Sequence, residues 1–344
     1  SNGAVKALQA AMLPDGTAIA VYTLDRSQVD AKGSYEIGYT IVDANGNLGT
    51  TMLATSDTWL DENPQVVTAN FGDTDSRFVI GWHSLRDDES DIQMLAVSND
   101  GAMSNDFPSS LTSLIRDGSA AVNGDFRFAS MGGNSDIGNL TIIWSETITD
   151  DETTEGLTVA AHSELKAAKL LRSSEDARYR LSSPLELAEL PSNNLVNHFS
   201  AYLSGDQVKA VIQATEYSNA EGNQQTIDGV TVPGEQTKLY TATSDFQQYA
   251  VEVESIGVDY ENLKQNSTTP IQFRIRNTGL QPISGLTVKV TNTETASLPD
   301  NLQPGESTVL AVLHSIGAQV NNPTYSTAAN SGINETGTVY LDYP

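Results

Sequence analysis

The sequence predicts an all-β protein: a β-propeller-like repeat domain of about four four-stranded blades, followed by an immunoglobulin-like β-sandwich. Three observations predict it. A hairpin unit recurs about every sixty residues through the first part of the chain. Tight Asn-Gly and Asp-Gly turns separate alternating apolar runs. Near Ala250 the texture changes to short strands punctuated by Pro and Gly. At 344 residues the chain exceeds what one core usually organises, so two domains are expected, at 4–249 and 250–344.

Each repeat opens on an alternating strand that closes at Ala10-Ala11-Met12, Ala69-Asn70-Phe71, Ala129-Ser130-Met131 or Ala201-Tyr202-Leu203. A turn follows each, from Pro14-Asp15-Gly16 and Gly72 to Asp75 through Gly132 to Asp136 and Ser204-Gly205-Asp206. Gly, Asn and Asp tolerate the positive φ that tight hairpins require. The second strand runs Ala18 to Tyr22, Phe78 to Trp82, Leu140 to Trp144 and Val208 to Ile212. A second hairpin turns at Asp43 to Asn47 in the first unit and at Asn99-Asp100-Gly101 in the second. Units three and four keep the third strand, at Leu157 to Ala161 and Leu239 to Thr243. Four antiparallel strands per unit describe propeller blades, with a β-sandwich of the same hairpins as the competing arrangement. Such blades could close as a ring, pair into a larger one, or form the tail of a longer propeller.

A short helical insert is expected near 163–181. Glu164, Lys166, Ala167, Ala168, Lys169, Leu170 and Leu171 are strong helix formers, with apolar positions at 167, 170 and 171. Five of the 18 basic residues fall there (Lys166, Lys169, Arg172, Arg178 and Arg180). They would form either a docking element for an acidic partner or a solvated helix that balances an acidic molecule.

Beyond Ala250, alternation at Val251 to Ile256, Ile271 to Arg276 and Leu286 to Val290, with further strands at Thr308 to Leu313 and Thr338 to Leu341, describes a small sandwich. The runs Phe273-Arg274-Ile275-Arg276-Asn277-Thr278-Gly279, Ile283-Ser284-Gly285-Leu286-Thr287-Val288 and Leu302-Gln303-Pro304-Gly305-Glu306-Ser307 resemble the CARDB/APHP class of bacterial immunoglobulin-like modules. The resemblance covers 250–344 only. It implies an extracellular or cell-surface setting, with the module as spacer or adhesive unit, and it carries over no catalytic residue.

Composition excludes several classes. With 18 basic residues against 44 acids and a net charge of −26, general nucleic-acid binding is not expected. Without cysteine there are no disulfides, thiolate metal sites or cysteine nucleophiles. No run of 18 apolar residues occurs, so no direct membrane insertion by a helix is expected. Ser1-Asn2-Gly3 lacks the basic and apolar regions of an export signal, and we expect further domains of a larger surface protein. No G-x-S-x-G elbow, H-E-x-x-H, P-loop or dinucleotide fingerprint is present. Nor do the short turns reproduce a Ser-x-Asp-x-Gly-x-x-Trp box; Ser98-Asn99-Asp100-Gly101 comes nearest.

Residues 1–160 hold 24 acids against 7 bases, net −17. In a four-stranded blade the longer, acidic loops share one face, so a negative rim is expected there, attractive to cations or a basic partner. Ca²⁺ is the ion that Asp87, Asp88 and Asp91, or Asp150 and Asp151, would suit, since closely spaced oxygen ligands are what it needs. Trp82 and Trp144 occupy equivalent repeat positions, which points to blade packing. Trp59 sits in a polar connection flanked by Asp57 and Asp61, an arrangement that either stacks on a sugar ring or plugs the gap between blades. His83 follows Trp82 and faces the other way, toward the rim. The expectation is an extracellular bacterial surface protein fragment that binds a glycan or protein ligand through the long-loop face without catalysis. A polysaccharide-acting hydrolase using loop carboxylates, or a pure spacer, is the alternative.

Overall fold

The computed structural model describes residues 4–341 apart from 27–34, 73, 87–88, 110, 113, 116–120, 130–133, 155–156, 219–223, 228–229, 259–262, 292–293 and 319–320. The protein is all-β: the described residues hold strands and one 3-10 turn, Ile137–Asn139, and no α-helix. They divide into two compact units, Ser1–Leu170 with Pro184–Phe246, and Leu171–Ser183 with Gln247–Pro344.

The first unit is a propeller-like succession of antiparallel sheets. Sheet I runs Ala4–Met12, Ala18–Asp25, Tyr35–Val42 and Leu48–Leu53 in spatial order. Sheet II repeats the order with Leu60–Asn70, Ser76–Arg86, Glu89–Val97 and Met103–Ser104. Sheet III is built on Ala121–Ala129, Thr141–Thr154 and Leu157–Arg172, with Leu185–Glu189 paired to the last of these. Sheet IV comprises Asn194–Ser204, Gln207–Ser218 and Gly234–Asp245. The alternation explains the strands, and Gly46 and Gly101 take φ of +86° and +88° at the turns that needed them. The Gly132-Gly133 turn lies outside the described residues.

Successive sheets pack face to face. Ile19, Val21, Ile37 and Tyr39 of sheet I bury against Phe78, Ile80 and Val97 of sheet II. Each such side chain contributes roughly 1.5–3 kcal/mol by leaving water. Sheets II and III approach so closely that a Cβ on Gly81 would stand 2.6 Å from the Phe128 ring. Across III and IV, Lys169 Nζ donates to Asp206 Oδ1 (2.7 Å) and Ser163 Oγ accepts from the Val196 N–H (3.1 Å). The outer faces of the first and last sheets are open to solvent. Leu8, Met12 and Leu48 share one such face, and Tyr202, Val211 and Leu239 the other.

The expected helical insert near 163–181 is not a helix. Ser163 to Arg172 belongs to the strand Leu157–Arg172, paired with Thr141–Ile148 on one side and with Leu185–Glu189 on the other. Leu165 and Ala167 point inward, while Lys166 reaches Glu146 and Glu164. Two ladders of backbone hydrogen bonds outweigh a helix propensity worth tenths of a kcal/mol per residue. Lys166, Lys169 and Arg180 of this stretch enter internal ion pairs, the last with Asp176 at 2.6 Å, and Arg172 Nε donates to Ala177 O at 3.3 Å.

The second unit is a β-sandwich. One sheet contains Val251–Val258, Thr268–Asn277 and Ser307–Ser315; the other contains Glu294–Ser297, Thr287–Val290, Thr324–Ala328 and Thr336–Thr338. Ile271, Phe273, Ile275, Val288, Val290 and Val312 fill the core between them. The segment Leu171–Ser183 belongs to this unit. Its Ser174 N–H donates to Gly305 O (3.2 Å), its Ser183 N–H donates to Thr278 O (3.0 Å), and Ser174 Oγ accepts from the Ser307 N–H (3.0 Å). Glu175 pairs with Arg274 at 3.1 Å and Arg276 at 3.4 Å.

Candidate functional site

The same irregularity interrupts the first strand of each of sheets I to IV. In sheet I the register breaks between Lys6 and Leu8, leaving Ala7 at φ +42°. In sheet II it breaks between Glu62 and Gln65, with Asn63 at φ +52° followed by Pro64. In sheet III the break falls between Asn123 and Phe126, at Gly124-Asp125, and in sheet IV between Val196 and His198, at Asn197. Each is a β-bulge, an extra residue that bends the strand and re-aims its neighbours. Pro64 lacks a ladder donor and suits such a position.

The bulges converge. Ala7, Asn63, Gly124, Asp125 and Asn197 line one cavity of about 490 Å³, joined by side chains from neighbouring strands. Lys6 is hydrogen-bonded to the Tyr35 hydroxyl and stands 3.1 Å from Asp25 Oδ2, which together hold its ammonium pKa above the usual lysine value. Asp125 takes both arms of Arg127, each at 2.8 Å, and accepts from Asn63 Nδ2 of sheet II at 2.8 Å. Gly124 packs tightly, since a Cβ there would meet Ser145 Oγ at 2.6 Å. Glu62 stands opposite His83 in the ladder, lines the cavity and has no hydrogen-bond or ion-pair partner among the described residues. The Lys6–Asp25 and Arg127–Asp125 pairs compensate their own charge, so Glu62 leaves the cavity negative. The described lining residues include no Ser–His or similar nucleophile pair.

Of the four residues expected to bind ligand, the structure brings His83 to this cavity and not Trp59, Asp57 or Asp61. The Trp59 ring faces the Arg86 guanidinium at 5.5 Å, and Asp57 Oδ1 accepts from the Trp59 N–H at 2.7 Å in a local turn. Asp61 is fully buried and accepts from Trp82 Nε1 (3.1 Å) and Ser84 Oγ (2.5 Å). Trp144 is tied likewise, to Glu146 Oε1 at 2.8 Å, so both indoles serve packing within their sheets.

Of the expected calcium ligands, Asp87 and Asp88 lie outside the described residues, as do the side chains of Asp150 and Asp151. Asp91 is buried, and its Oδ1 accepts from the Thr112 N–H at 2.9 Å. Among the described residues no group of three or more His, Asp or Glu side chains is placed to hold a metal ion. No described helix is long and apolar enough to cross a membrane.

Glu62, Asn63, Asp125 and Asn197 belong to no motif. The signal that could have found them is positional: three of the four bulges carry Asn or Gly, a few residues into the first strand of a repeat.

No protein-family model matches the chain, and no curated protein sequence does. Solved structures similar to it include the GH32 β-fructofuranosidase of Bombyx mori, at 10% identity and a TM-score of 0.37, covering 99% of this chain and 75% of that one. Fructan 1-exohydrolase IIa from Cichorium intybus shares 10% identity at a TM-score of 0.35, over 98% of this chain and 78% of that one. The structure of a glycoside hydrolase shares 7% identity at a TM-score of 0.33, over 92% of this chain and 89% of that one. No residue role is carried over from any of them.

Proposed function

We propose that the first unit binds a polar, hydroxyl-rich ligand of the glycan type in the bulge-lined cavity, without catalysing its conversion. The observation that carries this reading is the convergence of four bulges, one per sheet, on a single cavity furnished with donors and acceptors of both kinds. Bulges recur where side chains must be re-aimed, and a polar ligand needs a few fixed hydrogen-bonding groups on a preformed wall. The surface setting and adhesive role rest on the CARDB/APHP resemblance of the second unit.

The test is retention on immobilised plant, bacterial and host polysaccharides, with released sugar measured in the same samples. Glu62→Gln is expected to weaken retention about tenfold, ~1.4 kcal/mol, with little change in the unfolding midpoint. Asn63→Ala should weaken retention too, but it also loses the hydrogen bond to Asp125 and puts alanine at φ +52°, so its midpoint should fall. A second reading, glycoside hydrolysis, is favoured by one observation: the carboxylates of Glu62 and Asp125 line the same cavity, and glycosidases work with a carboxyl pair. Released sugar that disappears in Glu62→Gln and Asp125→Asn would replace binding with hydrolysis. Neither retention nor release would leave the unit as a spacer.

A further inference from the structure

The second unit holds a cavity of its own, about 410 Å³, within the size range of small-ligand pockets. Its wall includes His314, a side chain 9% exposed in the strand Ser307–Ser315. His314 Nδ1 lies 2.7 Å from Glu294 Oε2, and Glu294 Oε1 accepts from the Ser315 N–H at 2.8 Å. Burial pushes the Glu294 carboxyl up, but the hydrogen bonds from His314 and the Ser315 N–H outweigh it and hold its pKa below the usual range. A carboxylate can only accept, so Nδ1 carries the proton, and whenever the ring is neutral Nε2 is its acceptor. His314 lines the cavity, and its Nε2 has no hydrogen-bond partner among the described residues.

The rest of the wall tells what an occupant would be. Thr291, Ser315, Asn321, Asn322 and Thr324 supply hydroxyls and amides, while Ile316 and Pro323 supply apolar surface. No lysine, arginine or aromatic side chain is among the described lining residues, which therefore supply neither an anion clamp nor a stacking platform. Glu294 is the charged group placed against the imidazole. Thr269, the ladder partner of His314, is uncharged, as are the neighbouring threonines and asparagines. We propose that this cavity is a second binding site, separate from that of the first unit, which takes a neutral saccharide by accepting one of its hydroxyl protons at His314 Nε2.

The experiment follows the histidine ring signals of the intact chain by NMR while glucose, galactose, mannose, xylose and arabinose are added in turn to about 50 mM. His83, His162, His198 and His314 are the four histidines, and single substitutions assign their signals. At least one sugar is expected to shift the His314 ring saturably. In the unsubstituted protein the midpoint should weaken about tenfold once the same signals show that the ring is protonated, because Nε2 then no longer accepts. His314→Gln, in which the ring signal is gone, serves to assign that signal. No saturable shift at His314 with any of the five sugars overturns the proposal, as does a midpoint indifferent to ring protonation. Shifts confined to His83 and His198 would locate binding in the first unit and equally overturn it.

Discussion

Gly305→Ala is expected to lower the stability of the second unit by about 2–4 kcal/mol, combining left-handed strain with overpacking. Gly305 has φ +78°, and a Cβ there would stand 2.2 Å from Arg172 O, a backbone atom with no freedom to swing aside. The methyl group must therefore push the segment 171–183 off the turn on which Ser174 is hydrogen-bonded. Gly332→Ala supplies the control: its φ is +86°, but nothing lies within 4 Å, so strain alone should cost about 1–2 kcal/mol. All three tryptophans fall in the first unit. Urea unfolding followed by tryptophan fluorescence should thus be unchanged in Gly305→Ala, while the far-ultraviolet dichroism transition of the second unit moves to lower urea. Equal losses in the two glycine variants would show that Arg172 O does not constrain the turn.

The second large effect belongs to Asp61. Burial pushes its carboxyl from 3.8 up to about 6, the charges of Asp57 and Glu36 add to this, and the hydrogen bond from Ser84 opposes it. A folded pKa above the unfolded one means that the native state favours the protonated form. This group's contribution is full below pH ~4 and is lost as pH rises through ~6. A shift of about two units amounts to roughly 3 kcal/mol across that window. In Asp61→Asn the oxygen that accepts from Trp82 Nε1 and Ser84 Oγ can remain, but the buried charge disappears. The variant should gain about 1–2 kcal/mol on the unsubstituted protein at pH 7 and none at pH 4, by tryptophan-monitored urea unfolding at both pH values. A difference that is the same at both would mean that Asp61 does not titrate in this window.

The hairpins of the first unit were legible because alternation and Asn-Gly or Asp-Gly turns are local signals. Gly46 and Gly101 sit where those turns require them. The stretch from Ser163 is helical in composition but a strand in the structure, because its pairing partners, Thr141–Ile148 and Leu185–Glu189, are tertiary facts. The cavity was illegible for a different reason. A bulge is an offset between two strands, and at Ala7 the residue type gives no hint of it. Trp59 drew attention as an aromatic among acceptors, yet Arg86 over its ring is a contact no spacing rule reveals.

The loan of Leu171–Ser183 to the second unit has a consequence for how this protein can be cut, made and rearranged. The chain crosses between the units three times, after Leu170, after Ser183 and after Phe246. A protease that nicks only near Phe246 cannot separate the halves covalently from their shared pieces, because the borrowed hairpin remains tied into the first unit at both of its ends. A recombinant sandwich starting at Gln247 would lack the partners of Thr278 O and the acid that pairs with Arg274 and Arg276. On the ribosome the hairpin emerges well before the turn at Gly305 that receives it, so the sandwich finishes assembling only when late synthesis meets an early product. One genetic crossover could not shuffle this module into another protein intact.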